Sequence, residues 1–186
     1  MSARARRSDA VANRDRIVAE AREALARTNG AAEELTLHRV AKAAGVGQGT
    51  LYRNFPTRGH LLAEVYRHEM DDLVNAVPRL LAEHGPLDAL ARWLDRLVEY
   101  ARVKRGVMGA IEVSAWEGLY SDQHGRLDEA LDVLLGQGTR SGEVVEGVSA
   151  THVILLLGVL SRIAPEDWDT QAPAVVKVIL NGLRAH

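Results

Sequence analysis

The sequence contains no cysteine among its 186 residues. A disulfide framework, a thiolate metal site and a cysteine nucleophile are therefore excluded. Long apolar runs are also missing, since the longest, 153–160, is far shorter than the roughly 18–20 residues of a membrane-spanning helix. The first residues, MSARARRSDA, lack the apolar core of a signal peptide. We therefore expect a cytoplasmic protein that has no membrane partner.

The usual signatures of catalysis and metal binding are missing as well. The sequence has no G-x-S-x-G nucleophile elbow, and HEMDD at 68–72 lacks the second histidine of H-E-x-x-H. The seven histidines are scattered along the chain, and His84 and His124 could at most line a pocket. We therefore expect no catalytic residue, no metal site and no cofactor.

The small net charge of −2 hides an asymmetry along the chain. Residues 1–60 carry 11 Lys and Arg against 6 Asp and Glu, whereas residues 61–186 carry 12 against 19. The first segment therefore has a balance of +5 and the rest −7. This pattern suggests that only the N-terminal segment meets a polyanion.

Apolar residues recur at helical spacing nearly everywhere, and no strand alternation is visible. The pattern predicts an all-α chain with an N-terminal three-helix domain and a C-terminal helical bundle. About nine helices are expected in total: 9–27, 37–44, a short one ending before Pro56, one from Thr57 that kinks or ends at Pro78, 87–105, 107–120, 127–135, 150–163 and 175–183. The stretch GQGTRSGEVVEG, at 136–147, is predicted to be a loop.

The stretch AGVGQGTLYRNFP, at 44–56, allows two interpretations. A dinucleotide-binding loop needs G-x-G-x-x-G between a strand and a helix. Here the spacing is G-x-G-x-G, and the preceding LTLHRVAKAA has a helical period. A helix-turn-helix needs a short helix, a turn with glycine and a second short helix, which this stretch provides. A phosphate-binding loop over Gly45–Gly49, in an enzyme or ligand-binding protein, remains the alternative.

In the helix-turn-helix interpretation, Gly45 adopts a positive φ and the next helix has a nearly bare start. Small residues there let the backbone approach the major groove of DNA. Leu51 and Phe55 anchor the helix inward. The residues expected at the groove are Gly47, Gln48, Gly49, Thr50, Tyr52 and Arg53, whose polar side chains can reach base edges or phosphates.

The two helices that flank this motif begin with basic residues. Thr36 and Thr57 are placed as N-caps, with Arg39 and Arg58 in the first turns that follow. Positive side chains oppose the helix macrodipole at that end. Such starts make sense if a phosphate group binds there.

The stretch RIVAEAREALARTNGAAEELTLHRVAKAAGVGQGTLYRNFPTRGHLL resembles the DNA-binding domain of the TetR family of bacterial transcriptional regulators. The resemblance covers about residues 13–62 and rests on helix spacing, on AGVGQGTLYRNF and on the following T-R-x-x-L. RWLDRLVEYARVKRG, at 92–106, more loosely resembles a C-terminal domain of one branch of the family. The resemblance implies a DNA-binding domain at 1–55, a ligand-binding and dimerisation domain at 56–186, and phosphate contacts by Thr36 and Arg58.

Two C-terminal segments are suited to pairing with a second copy. THVILLLGVL, at 151–160, is apolar all round and therefore needs partners on two sides. A second apolar stripe follows at 175–183, and the resemblance implies a four-helix bundle between two subunits. The expected dimer interface comprises Leu156, Val159, Leu160, Val176, Ile179 and Leu183.

The middle helices hold most of the aromatic side chains, and the resemblance implies an effector pocket among them. The candidate pocket residues are Tyr66, Met70, Trp93, Leu97, Tyr100, Met108, Trp116 and Tyr120. The sequence thus predicts a homodimeric, sequence-specific DNA-binding regulator, a repressor that a small molecule releases from double-stranded operator DNA.

Overall fold

The computed structural model describes the backbone of residues 3–28, 32–108 and 113–185, and the side chains of 10–28, 32, 34–105 and 125–185. The regular structure in these ranges is helical, which confirms the all-α fold class. The α-helices described are α1 (Ala3–Arg27), α2 (Leu37–Ala43), α3 (Gln48–Asn54), α4 (Arg58–Glu83), α5 (Pro86–Met108), α6 (Val113–Arg140), α7 (Ala150–Leu157) and α8 (Trp168–Leu183). Short 3-10 turns lie at Ala32–Glu34, Gly158–Arg162 and Pro165–Asp167.

Contacts divide the chain into two compact units. One comprises Met1–His68 with Arg102–Leu119, and the other Glu69–Ala101 with Tyr120–His186. The first unit contains α1 to α3, with the start of α4. The second contains α7 and α8, with parts of α4 to α6. In the second unit, the indole N–H of buried Trp93 donates to the Leu73 carbonyl at 3.0 Å, which satisfies the one polar atom of that side chain.

Helix α6 differs from the sequence prediction. Two helices were expected, at 107–120 and 127–135, but α6 runs unbroken from Val113 to Arg140 and takes in part of the expected loop. Gly138 explains part of the error, because a Cβ atom at this position would collide with the Val144 side chain. This glycine permits close packing inside a helix and does not mark a turn. Within the described ranges, the structure therefore has eight α-helices and not about nine.

Two further boundaries can be compared with the prediction. Of the two outcomes expected at Pro78, a kink or an end, the end is excluded, because α4 continues to Glu83. The missing N–H removes one hydrogen bond, and a helix of this length retains the others. Helix α8 begins at Trp168, seven residues before the start of the helix predicted at 175–183.

Candidate nucleic-acid interface

Helices α2 and α3 form a helix-turn-helix. The turn between them depends on Gly45, whose φ of +64° is strained for any residue with a side chain. The next N–H, of Val46, donates back to the Ala41 carbonyl at 3.0 Å and closes the turn. Leu51 and Phe55 are buried, as the sequence predicted, and fix the orientation of α3. Gly45 and Gly47 thus lie between two helices, and Gly49 lies in the second of them; a helix and not a strand precedes all three, which does not support the phosphate-loop alternative.

The start of α3 is bare. Cβ atoms placed on Gly47 and Gly49 would meet no heavy atom within 4 Å, and both glycines are exposed. Gln48 is exposed between them, and Tyr52 leaves 51% of its surface exposed one turn later. Backbone and side chains at this end of α3 are therefore open to a large partner.

The flanking helix starts have the predicted geometry. The Thr36 hydroxyl accepts from the Arg39 N–H at 3.4 Å and caps α2. The Thr57 hydroxyl accepts from the His60 N–H at 3.3 Å, and α4 begins at the next residue. The first turns of α2, α3 and α4 contain no acidic residue. Three helix N-termini in this unit are thus free of negative charge, which suits anion binding.

The remaining residues predicted to contact DNA differ in their exposure and in their hydrogen bonds. Arg53 is exposed and donates to the Thr50 hydroxyl at 3.1 Å, so the two residues form a polar pair on the outer face of α3. Arg39 is exposed on α2. Arg58 is half-buried, and its Nε atom is buried without a hydrogen-bond partner in the described part of the chain. Arg58 is therefore partly packed into the protein, and only part of its side chain is accessible to a ligand.

An arginine that sequence analysis missed holds the far end of α3. Arg14, on α1, donates to the carbonyl of Asn54 at 3.3 Å and lies over the Phe55 ring at 4.5 Å from its centroid. Arg14 also pairs with Glu64, on α4, at 3.2 Å. One guanidinium group thus connects α1, the C-terminal end of α3 and α4.

Glu64 is the acidic centre of this cluster. Arg67 donates to its carboxylate at 2.8 Å, and the hydrogen bond from Arg67, followed by the positive charge of Arg14, keeps the pKa of Glu64 below its usual value despite partial burial. The carboxylate is therefore ionised at neutral pH, which favours both ion pairs.

A second missed residue contacts the exposed tip. The amide nitrogen of Gln48 is hydrogen-bonded to Nδ1 of His38, on α2. In the part of the chain that the structure describes, no other hydrogen bond or ion pair restrains either side chain. The sequence indicates this contact only weakly, because a histidine at the second position of α2 is equally suited to an exposed helix face without any partner.

The predicted effector-pocket residues are tightly packed where they are described. Tyr66, Met70, Trp93, Leu97 and Tyr100 are buried. The side chains of Met108, Trp116 and Tyr120 lie outside the described residues, as does that of His124. Burial is shared by core residues and by the walls of a closed pocket, so the pocket assignment stays a prediction.

The predicted dimer residues divide into two groups. Leu156 and Val159 are exposed, whereas Leu160, Val176, Ile179 and Leu183 are buried within the chain itself. Leu155 and Val178, which the sequence prediction did not include, are exposed by 72% and 70%. Four exposed apolar side chains therefore lie on α7, the following 3-10 turn and α8.

Two other expectations concern metals and membranes. The described residues contain no cluster of three or more histidine and acidic side chains that could hold a metal ion. His84 instead lies 3.3 Å from Asp88. Among the described helices, none is both long enough and apolar enough to cross a bilayer.

Comparisons with known proteins agree with this geometry. Residues 17–65 match the family described as bacterial regulatory proteins of the tetR family, and residues 85–185 match the C-terminal domain of SbtR-like transcriptional regulators. A TetR transcriptional regulator of Streptomyces coelicolor is 34% identical, with a TM-score of 0.79 over 92% of this chain and 98% of that one. A TetR regulatory protein of Mycobacterium vanbaalenii is 30% identical, with a TM-score of 0.68 over 96% and 99%.

A curated HTH-type transcriptional regulator of Staphylococcus aureus is 28% identical over 107 residues, which is 57% of each protein. The chain thus spans little more than half the length of the curated relatives it matches.

A helix-turn-helix with an exposed recognition helix defines a DNA-binding protein, and both family matches assign it to transcription regulators and not to enzymes. The chain belongs to the TetR family of transcriptional regulators. Regulators of this family bind operator DNA and small-molecule ligands and usually form dimers.

Proposed function

We propose that this chain is a homodimeric repressor that binds a double-stranded operator and leaves it when a small molecule binds. The observation that carries the proposal is the bare start of α3, where Gln48 is exposed between two glycines that have nothing within 4 Å of their Cβ positions. A bare start of this kind, on the second helix of a helix-turn-helix, lets the backbone approach base edges closely. The operator's major groove is the partner that this geometry fits.

The contacts divide into those that read bases and those that fix position. Gln48 and Thr50 lie in the first turn of α3 and are placed to reach base edges. Tyr52 and Arg53 follow on its exposed face and can bind phosphate or guanine. Thr36, Arg39 and Arg58 lie at the starts of α2 and α4, where phosphates would be held by N–H groups and positive charge. We place this DNA-binding domain at residues 1–55 and the regulatory domain at 56–186, in the cytoplasm with the DNA.

Dimer formation follows from the exposed apolar surface of the second unit. We define the α7–α8 face as Leu155, Leu156, Val159 and Val178, all of which are exposed in the single chain. Helix α7 is fixed at its start, because Ser149 caps it and Asp132 accepts from the Ala150 N–H at 3.1 Å. A rigid apolar face of this kind loses its contact with water when a second copy covers it. Two copies would present two α3 helices to two half-sites about 34 Å apart.

Control by a small molecule is assigned to the buried middle of the second unit. Met70, Trp93, Leu97 and Tyr100 are buried there. An apolar or aromatic effector would bind among these side chains, where its apolar surface is removed from water. The ligand then favours a conformation with lower affinity for the operator.

Selection of bound DNA from a random pool tests the proposed operator recognition. We expect a two-fold symmetric site whose affinity falls steeply as salt rises, because phosphate contacts release counterions. Tyr52→Ala should weaken binding by about 1–3 kcal/mol without a change in melting temperature. Arg53→Ala should reduce the salt dependence by about one phosphate contact. Arg140→Ala, an exposed arginine of the other unit, is the matched control and should change neither.

Salt-insensitive binding, or an effect of Arg140→Ala equal to that of Arg53→Ala, would contradict the proposed interface. Once an operator is known, a ligand screen that measures release from it tests the effector.

A further inference from the structure

We propose that His38 is a specificity-determining residue, which positions Gln48 so that its amide presents one donor and one acceptor to an adenine. The inference rests on the base contact proposed for Gln48 and identifies what orients that contact. His38 lies on α2 and does not itself need to touch the base.

Few groups surround the Gln48 side chain. Its neighbours in the chain are both glycines, and Cβ atoms at those positions would have no contacts within 4 Å. Gln48 is also exposed. The hydrogen bond between its amide nitrogen and Nδ1 of His38 is therefore the interaction that holds the side chain in the described structure.

The chemistry of this bond determines which groups remain available. A neutral imidazole accepts at Nδ1 when Nε2 carries the proton, so one N–H of the Gln48 amide is used. The second N–H and the carbonyl oxygen stay free. Adenine offers an acceptor at N7 and a donor at N6 in the major groove, which is the complementary pair. A glutamine held in this way can bind both N7 and N6 of adenine.

Loss of His38 should therefore affect selectivity more than affinity. A free glutamine amide can rotate and flip, so it can offer two donors to guanine or an acceptor to cytosine. Immobilising one such side chain costs about 0.5–1.5 kcal/mol, which corresponds to roughly 2- to 12-fold in discrimination. The phosphate contacts do not involve His38, so the affinity for sites with another base at that position should stay close to that of the wild type.

The experiment uses the full-length chain and the operator selected with the wild-type protein. Each base of a half-site is replaced in turn, and the affinities give the discrimination at every position. Gln48→Ala identifies the position that Gln48 reads. His38→Ala should reduce discrimination at that position by roughly 2- to 12-fold and leave the others unchanged. His38→Asn, whose Oδ1 can accept from the amide in place of Nδ1, should restore most of the preference.

The double variant completes the test. If His38 acts through Gln48, then His38→Ala should add no further loss of discrimination to Gln48→Ala. Melting temperatures of all variants show whether the domain is intact, and His38→Asn tests the idea even if His38→Ala unfolds. Unchanged base preference in His38→Ala, with a relaxed preference in Gln48→Ala, overturns the positioning role and leaves the proposed function intact. Unchanged preference in Gln48→Ala overturns the base contact itself, and with it the role of His38.

Discussion

The Arg14 cluster gives the sharpest test of how the recognition helix is held. Replacement of Arg14 by Ala removes three interactions at once: the hydrogen bond to the Asn54 carbonyl, the stacking over the Phe55 ring and the ion pair with Glu64. The first two act on the C-terminal end of α3, and the third acts on α4. We therefore expect a loss of stability together with a loss of operator affinity.

The expected loss of stability can be worked out from these contacts. A hydrogen bond contributes about 0.5–1.5 kcal/mol, and a cation–π contact at a half-exposed site about 0.5–1 kcal/mol. The ion pair adds about 0.2–1 kcal/mol, since the Arg14 side chain is 39% exposed and solvent screens the charge. The free energy of unfolding should therefore fall by about 1–3.5 kcal/mol.

Arg27 provides a matched control on the same helix. Its hydrogen-bonded ion pair is with Glu23, at 3.4 Å and one turn away, and both side chains are largely exposed. Such a pair contributes about 0.3–0.5 kcal/mol. A third variant, Arg14→Lys, keeps the charge beside Glu64 but loses the planar group that stacks on Phe55, and it should fall between wild type and Arg14→Ala.

Urea denaturation of the three variants measures the stabilities, and titration of labelled operator measures binding under conditions where all of them are folded. If Arg14→Ala and Arg27→Ala lose the same stability, within about 0.5 kcal/mol, the cluster does not hold α3 and this reasoning is refuted. Reduced stability with unchanged operator affinity would show that the C-terminal end of α3 can loosen without moving its tip.

Three further predictions concern other parts of the chain. The pKa of Glu64 is lowered in the folded state, so its contribution to stability is present above the unfolded-state value of 4.5 and is lost as pH falls through the folded-state pKa. Glu64→Gln should therefore reduce the loss of stability at acidic pH, measured by denaturation at a series of pH values. An unchanged pH dependence would show that Glu64 does not cause this loss. Leu156→Glu should dissociate the dimer in sedimentation, because a charge would be buried in the α7–α8 face, whereas Glu146→Gln, also exposed in that unit, should not. Gly45→Ala should destabilise the fold by about 1–2 kcal/mol, because the backbone φ is +64° and a side chain is strained there even without a clash. An unchanged melting temperature would contradict the geometry of the turn.

The helix-turn-helix could be predicted from sequence because its determinants are local. The positive φ at Gly45, the caps at Thr36 and Thr57 and the inward anchors Leu51 and Phe55 all lie within about one or two turns of the residues they affect. Short-range hydrogen bonds and helical periodicity determine such features.

The Arg14 cluster could not be predicted in the same way, because it joins residues 40 positions apart. A signal was nevertheless present. Arg14 lies three, four, seven and eleven residues before Ile17, Val18, Ala21 and Leu25, so a charged residue occupies the buried stripe of α1. A cation in that position requires a partner from another element. Sequence cannot say which element supplies the partner.

The predicted dimer residues show a different limit of prediction from sequence. A helix that is apolar all round has no sequence signal that separates its inner face from its outer face. Only the packing of α7 and α8 shows that Leu160 and Val176 lie inside whereas Leu155 and Val178 lie outside. The pocket residues have the same ambiguity, because large side chains at helical spacing are equally suited to a core and to a closed pocket.

The two ends of α3 explain how so short a helix can be both exposed and ordered. Its N-cap, Gly47, makes no side-chain capping bond, and two glycines near this end lower its intrinsic stability. A helix of 7 residues would not form on its own in water. Its order must therefore come from its C-terminal half, where Leu51 and Phe55 are buried and Arg14 binds the last carbonyl. This separation predicts that changes near Asn54 alter stability and affinity together, whereas changes at Gln48 alter base preference and operator affinity without a loss of stability.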